Sequence, residues 1–319
     1  MAKEKRARGL AGKKPAVAIV GAGSLASFLA PALREAGYRI SEIIARAGSR
    51  PESIGRARAL ARKVGAKGVS MESAALDASL IWFLVPDRQI RAAADAAAGR
   101  LAALRRGGRA PASPRSFGSV GLRLAFHSSG ALLSDELAPL RRAGIAVASV
   151  HPLMTFVARA RPSLAHVPFA VEGDVAATKV AHRMVRDLGA EGFILPSGRK
   201  VAYHAWATMT SPLLVAYLVM IEEAARRAGL SRVAARRMSL PIIFQTLANY
   251  GRGGPGNSFS GPFVRGDAET VAKHLSLLRS DRLTHSVYLA LARAAVGKLP
   301  VKNRREMLRV LDEHTQGPS

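Results

Sequence analysis

The chain has 319 residues, of which 49% are hydrophobic, and contains no cysteine. This length allows two domains of ordinary size. The absence of cysteine excludes disulfides, thiolate nucleophiles and cysteine metal sites, and it fits the reducing cytoplasm in which we expect the protein to work. The formal net charge is +26. Because the arginines are scattered along the chain and aromatic residues are sparse, we expect only non-specific binding to nucleic acid.

Two further classes of protein are not expected from the sequence. No apolar run approaches the length of a bilayer span, and no apolar segment follows the basic N-terminus, so we predict neither a membrane protein nor a secretory signal. The eight histidines include no pair spaced four apart and no accompanying carboxylate cluster. We therefore predict no metal site.

Residues 1–14 form a basic tail that we expect to be disordered. From 15 to 197, short apolar runs alternate with helical patterns, which is typical of a Rossmann doubly wound parallel sheet. A Gly-, Pro- and Arg-rich stretch at 105–114 predicts an exposed loop. The predicted strands are 16–20, 40–45, 68–70, 80–84, 122–126, 146–150, 168–171 and 192–195, and the predicted helices are 24–36, 53–64, 88–104, 132–142 and 175–188.

An all-α domain is predicted for residues 198–319. Its first helix, 201–228, is apolar on much of its circumference, and Pro212 predicts a kink near Ser211. Gly229 is expected to end this helix. Because such a helix needs burial, we predict a homodimer in which it packs against its counterpart.

The first predicted strand leads directly into Gly21-x-Gly23-x-x-Ala26 and then into a helix. This is the order of a dinucleotide site: Gly21 allows the tight turn, Gly23 allows close approach of a pyrophosphate, and Ala26 lets the helix pack near the sheet. The backbone N–H groups at the helix start, which include those of Ser24 and Leu25, favour the phosphates. The alternative is an ordinary glycine turn in a doubly wound sheet.

The end of the second strand indicates which dinucleotide is bound. NAD enzymes place an acidic residue there, whereas this chain has Arg46, followed by Ser49 and Arg50. These side chains can hold a 2′-phosphate through charge-assisted hydrogen bonds, so we predict NADP in preference to NAD. The alternative is that Arg46 is one of many solvated arginines.

The fourth strand ends in Val85-Pro86-Asp87. A turn at this position is expected to pass beside the nicotinamide ribose, so these three residues are predicted to contact the cofactor. A plain helix start, with Asp87 favouring the helix dipole, is a compatible alternative.

Two histidine motifs follow apolar strands, at the edge where open α/β sheets bind ligands. We predict that His151 is the general acid or base and that Ser129 orients the substrate. His127, Ser128 and Gly130 are predicted to line the substrate site. For each histidine the alternative is a structural role, with the ring bonded to a backbone carbonyl.

Two predicted substrate contacts lie further along the chain. His204, after Tyr203, begins the long helix at the seam between domains and is predicted to act in catalysis. Arg265 lies in a Gly- and Pro-rich loop and is predicted to bind an anionic group. The alternatives are an amphipathic cap at His204 and a turn held by an Arg265–Asp267 pair.

Together these segments resemble a bacterial family of Rossmann-like proteins with an uncharacterised helical C-terminal domain, often described as NADP oxidoreductases of the deazaflavin-dependent type. The matching motifs are Gly21-x-Gly23-x-x-Ala26, Val85-Pro86-Asp87, His127-Ser128-Ser129-Gly130, His151-Pro152-Leu153-x-x-Phe156, Tyr203-His204, and Ser260-Gly261-Pro262-Phe263-Val264-Arg265-Gly266-Asp267 with His274. The resemblance implies a Rossmann domain followed by an all-α domain of the 6-phosphogluconate dehydrogenase type.

The chain is more distantly similar to β-hydroxyacid, pyrroline-5-carboxylate and prephenate dehydrogenases, the last at His151-Pro152. The lysine that β-hydroxyacid dehydrogenases place early on the long helix is not expected here, where Tyr203-His204 stands instead. The sequence thus predicts an NADP-dependent oxidoreductase that acts on a small anionic carbonyl, imine or hydroxy compound between the domains. The alternative is a non-catalytic NADP(H)-binding regulatory dimer.

Overall fold

The computed structural model describes residues 14–108, 123–157 and 163–315. The chain divides between Thr208 and Met209 into two compact units, here called the sheet unit and the helical unit. We had expected the division at 197/198. It falls later because Tyr203 packs with Ala170 and Leu195 in the core of the sheet unit.

The sheet unit is built on eight strands. These are β1 (Val17–Val20), β2 (Ile40–Ala45), β3 (Lys67–Ser70), β4 (Leu80–Phe83), β5 (Leu124–His127), β6 (Ala146–Pro152), β7 (Pro168–Gly173) and β8 (Glu191–Ile194). Their order in the sheet is β3-β2-β1-β4-β5-β6-β7-β8. All neighbouring pairs are parallel except β6 and β7. The strand order runs outward from β1 to β3 on one side and continues from β4 to β8 on the other. This reversal is that of a doubly wound Rossmann sheet, which confirms the predicted fold class.

Helices cover both faces of this sheet. They are α1 (Ser24–Glu35), α2 (Pro51–Val64), α3 (Ile90–Arg106), α4 (Ala138–Arg142), α5 (Val175–Asp187) and α6 (Lys200–Thr210). One core packs α1, α2 and α5 against the sheet, and a second packs α3 and α4 against the opposite face. Short 3₁₀ turns lie at Met71–Ser73, Asp87–Gln89, Ser134–Leu137 and Ser197–Arg199. The predicted helix 132–142 is therefore a 3₁₀ turn followed by α4, and most of the predicted loop 105–114 lies outside the described residues.

The helical unit contains α7 (Pro212–Arg227), α8 (Arg232–Ser258), α9 (Pro262–Arg265), α10 (Ala268–Leu278), α11 (Arg282–Lys298) and α12 (Arg304–Glu313). Its buried core joins α10, α11 and α12. Asp267 and Asp281 begin two of these helices by accepting from the backbone N–H groups of Thr270 and Thr284. The predicted all-α domain is thus confirmed.

The predicted helix 201–228 is broken where Pro212 indicated. Ser211 has φ −127° and ψ −75°, and Pro212 occupies the first turn of α7. The expected burial is not provided within one chain, since the side chains of Leu213 and Val215 are 53% and 58% exposed.

Ser197–Arg227 is long and apolar enough, by length and composition, to cross a membrane, with a mean hydropathy of 1.4 over its best window. The expectation that no apolar run reaches this length was therefore wrong. A single segment of this kind is weak evidence for a membrane, because core helices of soluble proteins have the same character. The segment is interrupted at Ser211, and Lys200 near its start is 2% exposed within the sheet unit.

Candidate functional site

The turn after β1 has the geometry of a phosphate-binding loop. Gly21 has φ +109°, and a Cβ at this position would lie 2.3 Å from the Leu84 carbonyl oxygen. A Cβ on Gly23 would meet nothing within 4 Å, so the backbone there is open to a ligand. No side chain caps α1, which leaves the N–H groups of its first turn available. Ala26 is fully buried in the core between α1 and the sheet.

The end of β2 lies beside this turn, because the Gly21 N–H donates to the Ile44 carbonyl over 2.9 Å. Arg46 follows β2 and forms no ion pair within the described part of the chain. The Ser49 hydroxyl oxygen is buried without a hydrogen-bond partner. Arg46 and Ser49 lie in one turn, where the Ser49 N–H donates to the Arg46 carbonyl at 3.2 Å, and a guanidinium and a hydroxyl in one loop fit the 2′-phosphate of NADP. One carboxylate reaches this loop, since Glu72 accepts from the Gly48 N–H at 3.4 Å.

The end of β4 connects the glycine turn with the histidine motif that follows β5. Val85 Cγ1 lies 3.1 Å from the position of a Cβ on Gly21, and Pro86 precedes the 3₁₀ turn that begins at Asp87. The Asp87 carboxylate accepts a hydrogen bond from the Ser129 hydroxyl at 2.8 Å. The predicted cofactor and substrate segments are thus neighbours.

His127 is a structural residue, which corrects its predicted role in substrate binding. Its side chain is fully buried in β5, and burial lowers its pKa to about 3. The ring accepts from the Ser129 N–H at Nδ1, so the proton lies on Nε2 and is donated to the Leu133 carbonyl at 2.9 Å. Both ring nitrogens are therefore occupied, and the neutral ring fixes the loop after β5.

The Ser129 hydroxyl is also occupied by hydrogen bonds within the protein, which corrects its predicted role in orienting the substrate. Its hydroxyl donates to Asp87 and accepts from two backbone N–H groups of the following turn, and the residue is 3% exposed. Ser128 is half-buried, and its hydroxyl accepts from the Trp82 indole at 2.9 Å. These hydroxyls position the loop.

Lys200, the first residue of α6, supplies a buried positive charge. It is 2% exposed, and its ammonium donates to the Ser149 hydroxyl, which donates to the Ser129 carbonyl at 3.0 Å. Glu172 lies opposite Ser149 in the register of β6 and β7. Burial lowers the pKa of Lys200 to about 8, against the opposing effect of Glu172 and Asp87.

The expectation that no lysine begins this helix was wrong, since α6 starts at Lys200 and not at residue 201. Lys200, Tyr203 and His204 are spaced three and four residues apart, so they lie on one face of α6. This spacing is the signal that could have found Lys200 from the sequence.

His151, unlike His127, is only partly buried. It lies within β6, two residues after Ser149 and so on the same side of the strand. Its Nδ1 is 2.8 Å from the Tyr203 hydroxyl, and its ring centroid is 6.5 Å from that of His204. Burial, with the charges of Lys200 and His204, lowers its pKa to about 4, so the ring is neutral at physiological pH.

Gly130 makes room for these rings. A Cβ on Gly130 would lie 2.9 Å from His151 Nε2 and 2.7 Å from His204 Cδ2. The backbone of the loop after β5 therefore packs directly against both histidines, and any side chain at this position would displace them.

Arg265 belongs to the helical unit, where it is exposed at the end of α9. The alternative of a turn held by an Arg265–Asp267 pair is not what the structure shows, because the Asp267 carboxylate accepts from Thr270. Substrate binding by Arg265 stays a prediction.

Comparison with known proteins supports the resemblance drawn from the sequence motifs. Residues 167–295 match the family described as Domain of unknown function (DUF2520). This match begins one residue before β7 and ends in α11. No curated protein matches the chain.

Solved structures share the fold of the chain. A protein from Bacteroides fragilis, provisionally described as an NADP oxidoreductase, has a TM-score of 0.66 and 20% identity, covering 88% of this chain and 97% of that one. A protein from Thermotoga maritima has a TM-score of 0.63 and 20% identity, covering 94% and 100%. A 1-pyrroline-5-carboxylate reductase from Streptococcus pyogenes has a TM-score of 0.54 and 12% identity, covering 94% and 98%. The predicted family resemblance, a Rossmann-like sheet with a helical C-terminal domain, is therefore confirmed.

Proposed function

We propose that the protein is an NADP(H)-dependent oxidoreductase acting on a small anionic carbonyl, imine or hydroxy compound at the carboxyl edge of the sheet. The observation that carries the proposal is the placement of an accessible, neutral histidine, His151, on the same sheet edge as the Gly21–Gly23 turn. Open α/β sheets bind their ligands at this edge. The names of the similar structures, an NADP oxidoreductase and a 1-pyrroline-5-carboxylate reductase, are in keeping with this reaction class.

The residues at the ends of β1, β2 and β4 fit the cofactor. Gly23 and the first turn of α1 would hold the pyrophosphate, Arg46 and Ser49 the 2′-phosphate, and Val85 the region beside the nicotinamide ribose. When bound, NADP(H) supplies or accepts the hydride.

The remaining residues handle the proton and the substrate charge. His151 exchanges a proton with the oxygen or nitrogen that is reduced or oxidised, since its Nε2 forms no hydrogen bond within the described residues and is not among the buried atoms without a partner. Lys200 provides positive potential at this edge, which attracts an anionic substrate and disfavours protonation of His151. His204 lies next to His151 and orients the substrate.

Lys200 also bears on the alternative of a non-catalytic NADP(H)-binding dimer. The observation that favoured this alternative was the missing lysine at the start of the long helix. Because a lysine, Lys200, begins α6 and is buried against Ser149, we favour the enzyme over the non-catalytic dimer.

A turnover screen tests the proposal. Purified protein with NADPH would be given a panel of 2-oxo acids and cyclic imines, and oxidation of NADPH would be followed by absorbance. We expect saturable turnover with at least one compound and a loss of about 10²–10⁴-fold in kcat in His151→Asn, the range for a general acid or base. NADPH affinity should change little.

His166→Asn is the matched control, because His166 is exposed on the sheet unit and pairs only with Glu191 at the surface. Its turnover should equal that of the unmodified protein. Binding of NADPH without turnover of any compound would favour the regulatory dimer. Equal turnover in the two variants would remove His151 from the mechanism.

A further inference from the structure

The pairing of His151 with Tyr203 has a direction that the surroundings determine. The Tyr203 hydroxyl lies 2.8 Å from His151 Nδ1, and the two rings meet edge to face with centroids 5.6 Å apart. Either atom could donate in such a pair, so the geometry alone leaves two protonation patterns. The hydrogen-bond partners available to each side chain distinguish the two protonation patterns.

Tyr203 needs an acceptor for its hydroxyl proton. The residue is 6% exposed, and burial raises its pKa to about 12, so it is a neutral phenol at physiological pH. Among the described residues, His151 Nδ1 is the hydrogen-bond partner of this hydroxyl. If His151 donated instead, the buried phenol proton would have no acceptor, which costs more than leaving a lone pair unused. Tyr203 is therefore the donor and Nδ1 the acceptor.

The other ring nitrogen of His151 must then carry the proton. Nε2 forms no hydrogen bond to any part of the chain that the structure describes, and it is not among the buried polar atoms that lack a partner. It lies close to Gly130, where a Cβ would be only 2.9 Å from it. An N–H group in this position has no acceptor among the described residues and can donate to a ligand.

We propose that Tyr203 is a positioning residue that fixes His151 as the Nε2–H tautomer, so that His151 offers a hydrogen-bond donor to the substrate. The part of this inference that concerns the substrate rests on the proposed function. An Nε2–H group donates to an atom with a free lone pair, such as the oxygen of a carbonyl or an alcohol or the nitrogen of an imine. This tautomer therefore orients the reacting atom of the substrate through a hydrogen bond.

The position of Tyr203 on α6 holds its hydroxyl beside His151. Lys200 anchors the first turn of this helix to β6 through Ser149, and Tyr203 follows one turn later on the same face. The aromatic contacts of Tyr203 with Phe193 and Trp206 hold the ring independently of the hydroxyl. Tyr203→Phe therefore removes the donor and preserves the packing.

Nitrogen NMR of the protein alone tests the proposal. Protein labelled with ¹⁵N-histidine would be measured at pH 7, and the His151 signals would be assigned by their loss in His151→Asn. We expect an Nδ1 shift of the acceptor type and an Nε2 shift of the N–H type. In Tyr203→Phe the two shifts should move toward each other as the second tautomer becomes populated.

His127 is an internal reference, because its tautomer is fixed by Ser129 and Leu133 and should be unchanged in Tyr203→Phe. A proton on Nδ1 of His151 in the unmodified protein would overturn the proposal. Unaltered His151 shifts in Tyr203→Phe would overturn it as well. Neither measurement requires cofactor or turnover, so the result stands apart from the success or failure of the oxidoreductase assignment.

Discussion

At the residue scale, the candidate site is a set of polar side chains that the fold holds at a cost. Lys200 is a buried ammonium with one hydrogen bond, to Ser149, among the described residues. Charged groups in such positions are retained at functional sites more often than in cores, because they weaken the fold unless they are paired. The nearby carboxylates Glu172 and Asp87 compensate the charge only in part, since the pKa of Lys200 stays below its usual value.

Because burial of the charged Lys200 destabilises the fold, we predict that Lys200→Met is more stable and that the gain in stability depends on pH. A pKa lowered from 10.5 to about 8 corresponds to about 3 kcal/mol against the charged form. Because the unfolded chain binds the proton more tightly, this penalty is present at neutral pH and disappears as the pH rises through about 8 to 10.5. We expect Lys200→Met to be more stable at pH 7 by about 1–2 kcal/mol, since the Ser149 bond is also lost, and the gain to vanish near pH 10.5.

Urea unfolding at pH 7 and pH 10.5 measures this difference. Lys298→Met, at the end of α11 in the helical unit, is the control and should show no such pH dependence. Equal stability changes at the two pH values would mean that the charge of Lys200 is not the cause.

We predict that Arg46, the arginine after β2, determines the preference for NADPH over NADH. Arg46→Ala removes a guanidinium that has no ion pair within the described residues and belongs to the same turn as Ser49. A charge-assisted hydrogen bond contributes about 1.5–3 kcal/mol, so NADPH should bind at least about tenfold more weakly, whereas NADH affinity should stay within about twofold.

Calorimetric titration with both nucleotides provides the measurement. Arg62→Ala, on the exposed face of α2, is the matched control. An equal loss of affinity for NADPH and NADH would show that Arg46 does not contact the 2′-phosphate, and would favour a role for Glu72 at the ribose.

At the scale of elements, α7 and α8 are the parts of the helical unit that lack burial. Their large apolar side chains are extensively exposed, among them Leu213 at 53%, Ile242 at 69% and Phe244 at 63%. Helices of this kind mark interaction surfaces. The two helices are joined to each other by the Glu222–Arg236 pair, with nitrogen–oxygen distances of 2.6 and 3.0 Å. We propose that a second copy of the chain covers these faces.

If two copies of the chain pack through these faces, Phe244→Glu should lower the molecular mass in solution from that of a dimer to that of a monomer. Placing a carboxylate in an apolar interface costs several kcal/mol, so light scattering should give a mass near 33.7 kDa for the variant and about twice that for the unmodified protein. Arg62→Glu changes the charge on the sheet unit and should leave the dimer intact. A monomeric unmodified protein would contradict the proposal.

At the scale of the whole molecule, the net charge and the placement of the site residues are compatible with the proposed function. The net charge of +26 produces a field that attracts anionic ligands, including a dinucleotide, and it also explains why polyanions would bind non-specifically at low salt. The candidate site residues of the sheet unit come from the ends of β1, β2, β4, β5 and β6 and from α6, and the unit extends to Thr208.

The amino-acid sequence by itself determined the doubly wound sheet, the glycine turn and the break at Ser211, because each depends on local patterns: apolar periodicity, the freedom of glycine and the missing N–H of proline. Tertiary structure alone decided the roles of the polar side chains. His127 and His151 have the same sequence context, a histidine at the end of an apolar strand. Only packing buries the first, bonds both of its nitrogens and leaves Nε2 of the second accessible, since burial and hydrogen-bond partners come from distant segments.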